Sequence, residues 1–167
     1  MIETPDSSGP KDACTIRQAG PTDIDIIARF NAAMATETEG RDLDLPLLRS
    51  GAKAVLEDPV RGLYFLAEVD GRVVAQTMIT YEWSDWHSGW YWWIQSVYVD
   101  PDHRRKGVFR AIHRHIARAA RAEPDVCGLR LYVDQRNQAA RSTYPRLGIN
   151  PTQYLVYEED WSATVGH

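Results

Sequence analysis

One stretch of the chain carries residues whose types and spacing could do chemistry. It reads Val97-Tyr98-Val99-Asp100-Pro101-Asp102-His103-Arg104-Arg105-Lys106-Gly107-Val108-Phe109-Arg110. The β-branched and aromatic run 92–99 predicts a strand, Pro101–Gly107 a glycine-bearing turn, and 108–121 a long amphipathic helix. The first turn of such a helix presents backbone N–H groups without intrahelical acceptors at the positive end of the dipole. That is an anion site, and a pyrophosphate suits it. Arg104, Arg105 and Lys106 add fixed positive charge. Taken alone, the same residues also fit a solvated basic turn with no ligand.

Other groups are more scattered. Asn137 and Tyr144 lie seven residues apart, almost two helical turns, and so share one predicted helix face. Residue type alone makes Tyr144 a core or rim aromatic. Tyr81 to Trp93 is dense in aromatic residues, among them Trp83, Trp86, Trp90, Trp92 and Trp93. Strand alternation puts Tyr91 with Trp93 on one face and Trp90 with Trp92 on the other. Trp83, Trp86 and Tyr91 could line a pocket that holds an ammonium group by cation–π attraction. Core filling plus a dimer interface is the competing reading. Glu37, Glu39 and Glu82 are isolated carboxylates. His113 and His115 point to different faces of a helix and lack a carboxylate pair, so no metal site is expected. No Ser-His-Asp or Cys-His arrangement stands out.

Positioning these residues requires a mixed α/β architecture. Residues 14–19 alternate as a first strand. A helix opens at Pro21-Thr22-Asp23 with Thr22 as cap, buries Ile24, Ile27, Ala28 and Phe30, and fades near 36–40. A second helix spans 45–57, with Leu47, Leu48 and Val55 toward the core. Residues 63–69 and 72–80 form a hairpin about Asp70-Gly71. After the long helix come a strand at 129–133, a helix at 137–147 capped by Gly148, and a last strand at 154–157. The resulting order, β-α-α-β-β-β-α-β-α-β, includes a parallel crossover and puts helices on both faces of the sheet.

The chain has 167 residues, which suits one domain: 13–160, between flexible tails 1–12 and 161–167. Hydrophobic residues make up 44% and charged ones 25%, ordinary for a globular protein, and a net charge of -4 gives no support to nucleic-acid binding. Cys14 and Cys127 stand apart in apolar stretches and read as two buried thiols in a reducing cytosol. No apolar run approaches the roughly 20 residues of a membrane span, and no signal peptide is visible. The expected location is cytoplasmic.

The turn resembles the acetyl-CoA-binding motif of the GCN5-related N-acetyltransferase (GNAT) family, Q/R-x-x-G-x-G/A after a Val-x-Val-x-Pro strand end. Arg104, Gly107 and Phe109 fall on its three positions. Asn137 to Tyr144 resembles the family's second signature, N-x-x-A-x-x-x-Y. The element order is similar along nearly the whole chain. Two motifs in order are specific, although Phe109 replaces a second small residue and Arg105 a frequent glycine.

The resemblance implies a GNAT-like, mostly antiparallel sheet of six to seven strands and an acetyl-CoA-dependent N-acetyltransferase without a metal. Backbone N–H groups of Arg105, Lys106, Gly107, Val108, Phe109 and Arg110 would hold the pyrophosphate. Val97, Tyr98 and Val99 would pair with the pantetheine arm like an added strand, and the N–H near Val97 would serve the oxyanion. Tyr144 would be the general acid, with a phenol pKa of about 10 before perturbation. Asn137 would bond the pantetheine or position the loop. Pro145 is expected to end or kink the helix and to push Tyr144 away from α geometry. Relatives often carry a glutamate base where this chain has Gln95 and Ser96. Glu37 or Glu39 would anchor the acceptor, which is a small-molecule amine or a peptide N-terminus, with Trp83, Tyr91 and Gln95 around it. Dimerisation is a family habit. The alternatives are an acyl-CoA sensor without turnover and an interaction domain of the same fold.

Overall fold

The computed structural model describes residues 14–161. The expected tails lie outside the described residues, Ala13 likewise, apart from Trp161. The described residues form two compact units, divided between Leu131 and Tyr132. The first holds β1 (Thr15–Gln18), α1 (Ile24–Glu39), α2 (Leu45–Glu57), β2 (Leu63–Val69), β3 (Arg72–Ser84), β4 (Gly89–Val99), α3 (Val108–Ala122) and β5 (Val126–Arg130). The second holds α4 (Gln138–Thr143) and a 3-10 turn, Tyr144–Leu147.

Among the described residues there is one five-stranded sheet, in the order β1-β2-β3-β4-β5. The expectation of six to seven strands is corrected to five. Residues 154–157, expected as a last strand, are exposed and form none. All neighbours pair antiparallel except β4 with β5, which run parallel through the α3 crossover. Alternation along β2 assigns the two faces. Tyr64 and Leu66 join Ile27 of α1 and Ala52 of α2 in one core cluster. Phe65 points the other way, where its ring meets His115 of α3 at 5.4 Å.

Local sequence explains most boundaries. Asp44 caps α2 by accepting from Leu47 N–H at 3.3 Å. Thr22 does not cap α1. A single 3-10 turn, Pro21–Asp23, intervenes, and Asp23 is the residue at the cap position. The Asp23 carboxylate is held instead by Arg17 at 2.7 Å and 2.9 Å and by Gly20 N–H at 2.8 Å. Leu47, expected in the core, is 41% exposed, while Ala52 is buried. Cys14 is half-buried and Cys127 exposed, which corrects the expected pair of buried thiols.

The aromatic stretch folds as the distal part of a long hairpin. β3 runs to Ser84 and β4 starts at Gly89. A Cβ on Gly89 would meet Asp125 O and Cys127 Sγ, each at 2.6 Å, so only glycine lets β4 approach the β5 end this closely. The hairpin aligns Trp83 with Trp90 and Tyr81 with Trp92. Their rings stack edge to face, at 5.0 Å for Trp83–Trp90 and 6.0 Å for Tyr81–Trp92.

Candidate functional site

The site is built around the upper half of β4 and the start of α3. Gln76 opposes Tyr98 and Met78 opposes Gln95, so Ser96 and Val97 together face Thr77 alone. This is a β-bulge, and Ser96 has a φ of +49°. Two fully buried β3 side chains support it. Thr77 Oγ1 donates to Gln95 O at 3.0 Å. Gln76 Nε2 donates to Asn31 Oδ1 at 2.6 Å and lies 3.5 Å from Ser96 O.

β4 pairs with β5 only from Trp90 to Trp93, and β5 ends at Arg130. Beyond that point β4 continues to Val99, with no strand on that side among the described residues. This is an edge an extended chain can join.

The turn then delivers α3. Arg104 is in extended geometry, Arg105 has a φ of +63° and Gly107 a φ of +84°. Gly107 occupies the cap position, and no side chain caps the helix there. Ala111 N–H bonds Gly107 O at 3.0 Å. The preceding N–H groups, through Arg110, lie before the first intrahelical acceptor. Arg105, Lys106, Gly107 and Arg110 are exposed and Val108 is buried. Phe109 turns its ring toward His113, 6.4 Å away. A Cβ on Gly107 would meet nothing within 4 Å, so the space before the helix is open. Backbone donors at the helix start, basic side chains and room fit a pyrophosphate.

The side chain of Arg104 points elsewhere. Its Nη2 pairs with Glu37 Oε2 at 2.6 Å, its Nε donates to Val99 O at 2.8 Å, and its guanidinium lies 5.6 Å from the Tyr98 ring. Tyr98 OH donates to Glu37 Oε1 at 3.1 Å. Burial, and then the Glu37 carboxylate, raise the Tyr98 phenol above its ordinary range. Glu37 thus joins β4 and the turn, while Glu39 is exposed and pairs with Arg41 at 3.5 Å.

The predicted acceptor residues separate. Trp83 sits on the same sheet face as Trp90, while Tyr91 faces the opposite way with Glu82, and Trp86 is in the exposed hairpin turn. The three do not line one pocket. Gln95 donates to Thr80 Oγ1 at 2.5 Å. On that face lies a cluster that sequence reasoning largely missed. Arg130 Nη1 pairs with Glu82 Oε1 at 2.6 Å, its guanidinium covers the Tyr91 ring at 3.7 Å, and Trp93 Nε1 donates to Glu82 Oε2. No local motif links positions 82, 91, 93 and 130. Only the register does.

In the second unit, Asn137 Oδ1 accepts from Ala140 N–H at 3.0 Å and so caps α4. The α-helix stops at Thr143, just before Pro145, as expected, and Tyr144 opens the 3-10 turn. Tyr144 nonetheless keeps right-handed helical angles, φ −59° and ψ −44°. The expected departure from α geometry is corrected, because a 3-10 turn accepts Pro at its second position. The helix at 137–147 is correspondingly shorter than predicted. Burial raises the Tyr144 phenol above its usual range. Among the described residues no group of three or more His, Cys, Asp or Glu could hold a metal, and no helix is long and apolar enough to cross a membrane.

Residues 30–149 match the family model described as the acetyltransferase (GNAT) family. A possible acetyltransferase from Clostridium difficile 630 is 44% identical, covers 92% of this chain and 99% of its own, and superposes with a TM-score of 0.82. A ribosomal-protein-alanine N-acetyltransferase from Brucella melitensis biovar Abortus 2308 shares 19% identity, with 90% of this chain and 100% of that one covered and a TM-score of 0.73. A predicted acetyltransferase from Clostridium acetobutylicum, solved with acetyl-CoA, shares 16%, covers 88% and 96%, and has a TM-score of 0.71. No curated protein matches the sequence significantly. The chain belongs to the GNAT acetyltransferase family, whose chemistry is acetyl transfer and whose acetyl donor is acetyl-CoA.

Proposed function

We propose that this chain transfers an acetyl group from acetyl-CoA to a primary amine by direct attack, and that residues 13–160 are its N-acetyltransferase domain. The observation that carries the reading is the uncapped start of α3 behind Gly107, beside a bulged β4 that leaves β5 after Trp93. In this reading the N–H groups of Arg105 to Arg110 bind the pyrophosphate, with charge from Arg105, Lys106 and Arg110. Val97, Tyr98 and Val99 take the pantetheine arm as an added strand. The bound donor supplies the activated thioester. The Val97 N–H stabilises the oxyanion. The Tyr144 hydroxyl donates its proton to the departing thiolate, and its raised pKa keeps it protonated near neutral pH. Asn137 positions the segment that carries Tyr144.

The acceptor is a small-molecule amine or a peptide N-terminus. Its proposed contacts are Tyr91 and Gln95 on one sheet face, together with Glu39 and Trp83; Glu82 and the Tyr91 ring are already engaged by Arg130. The cytoplasm is the proposed location and a homodimer the proposed assembly. A second reading, acyl-CoA binding without turnover, draws on Gln95 and Ser96, neither of which is a base. Release of free thiol from acetyl-CoA with a mixed panel of amines separates the two. Thiol release that depends on an amine supports transfer. Binding of CoA with no thiol release supports the sensor.

A further inference from the structure

Glu37 lies in the last turn of α1, where Glu39 adds a second carboxylate and no basic residue is present. Negative charge at a helix C-terminus opposes the helix dipole; Arg41 pairs with Glu39, and Glu37 takes its cation from elsewhere in the chain. Arg104, distant in sequence, supplies it with a 2.6 Å contact. Both Glu37 oxygens are engaged, one by Arg104 and one by the Tyr98 hydroxyl. Arg104 is anchored again by Nε to Val99 O at 2.8 Å. Phe30 of α1 packs on the Tyr98 ring with centroids 4.9 Å apart. The first basic residue of the turn is therefore tied back to β4 and to α1, and its charge is matched by a carboxylate. Arg105, next in the chain, takes a left-handed φ of +63°, a conformation that bulky side chains avoid and that surrounding contacts must enforce.

We propose that Glu37 and Arg104 form a positioning strap. It fixes the turn Arg105–Gly107 from α1 and sets the affinity for acetyl-CoA without Arg104 touching the donor. The proposal rests on the acetyl-CoA reading of the turn. It also assigns Glu37 a structural partner in place of the amine.

A charge swap tests it. Glu37→Arg and Arg104→Glu are made singly and together, and CoA binding is measured by calorimetry alongside KM for both substrates. Each single variant is expected to weaken CoA roughly tenfold while the acceptor KM stays put. The double variant is expected to return to within about threefold of the parent. A double variant as weak as Arg104→Glu would mean that Arg104 contacts the phosphates, and would overturn the strap. A rise in acceptor KM alone for Glu37→Gln would assign Glu37 to the amine and overturn it as well. Amide exchange at Arg105–Gly107 in the ligand-free chain gives a readout independent of CoA. Exchange should quicken in the single variants and slow again in the swap; unchanged exchange in the singles refutes the strap. If the parent itself binds no CoA, the donor reading fails, and the exchange data still decide the strap.

Discussion

Tyr144 is the residue on which the proposed chemistry turns. Its phenol is raised by burial, so the protonated, donating form persists to higher pH than for a free tyrosine. Tyr144→Phe removes only the hydroxyl. It is expected to lower kcat by about 10²-fold or more, the usual contribution of a positioned acid, and to leave KM for acetyl-CoA unchanged. In the parent, the alkaline fall of kcat should lie above pH 10. A Phe variant with full turnover would remove the assignment. The carboxylate expected near Gln95 has no counterpart at that position. Glu82 stands on the same face, one strand over, held by Arg130 and Trp93.

At the scale of elements, the β4–turn–α3 unit was the most legible part of the sequence. Its strand composition, its glycine and its helical period each depend on near neighbours. α2 was equally plain, since its expected span agrees with the observed Leu45–Glu57. What the sequence hid depends on register. The bulge at Ser96–Val97 arises from pairing with β3, and nothing in the order Gln95-Ser96-Val97 announces it. Likewise Tyr154 to Tyr157 has strand composition yet is exposed and forms no strand, because β propensity reflects packing on a half-buried pleated surface and not composition alone. The Trp83–Tyr91 pocket failed as a single pocket for the same reason: once the hairpin is in register, the two fall on opposite faces. Gly107 offers a test of the turn. With φ at +84° and open space around it, Gly107→Ala meets no clash but pays left-handed strain of about 1–2 kcal/mol. Tm should fall by roughly 2–8 °C, and KM for acetyl-CoA should rise. A variant with unchanged KM would argue that the turn does not hold the donor.

At the scale of the molecule, the sheet separates two helical layers, and the α3 layer buries a titratable group. His113 is 9% exposed, and burial, aided by the charge of Arg121, lowers its pKa below 6.5. A histidine depressed in the folded state stabilises the fold at pH above its unfolded value, about 6.5. That stability is lost as pH falls through the lower folded value. Urea midpoints should therefore drop on moving from pH 7 toward pH 5, and His113→Gln should flatten that limb; an equally steep limb in the variant would place the titration elsewhere. The family match spans residues 30–149, and so includes sequence from both units. The claim that most needs testing is that this assembly transfers acetyl groups. The most direct measurement follows free thiol from acetyl-CoA with purified chain and an amine panel, with the acetylated amine identified by mass. Stoichiometric thiol and acetylated amine, absent without amine and reduced in Tyr144→Phe, is the predicted result. CoA binding with neither product would contradict it.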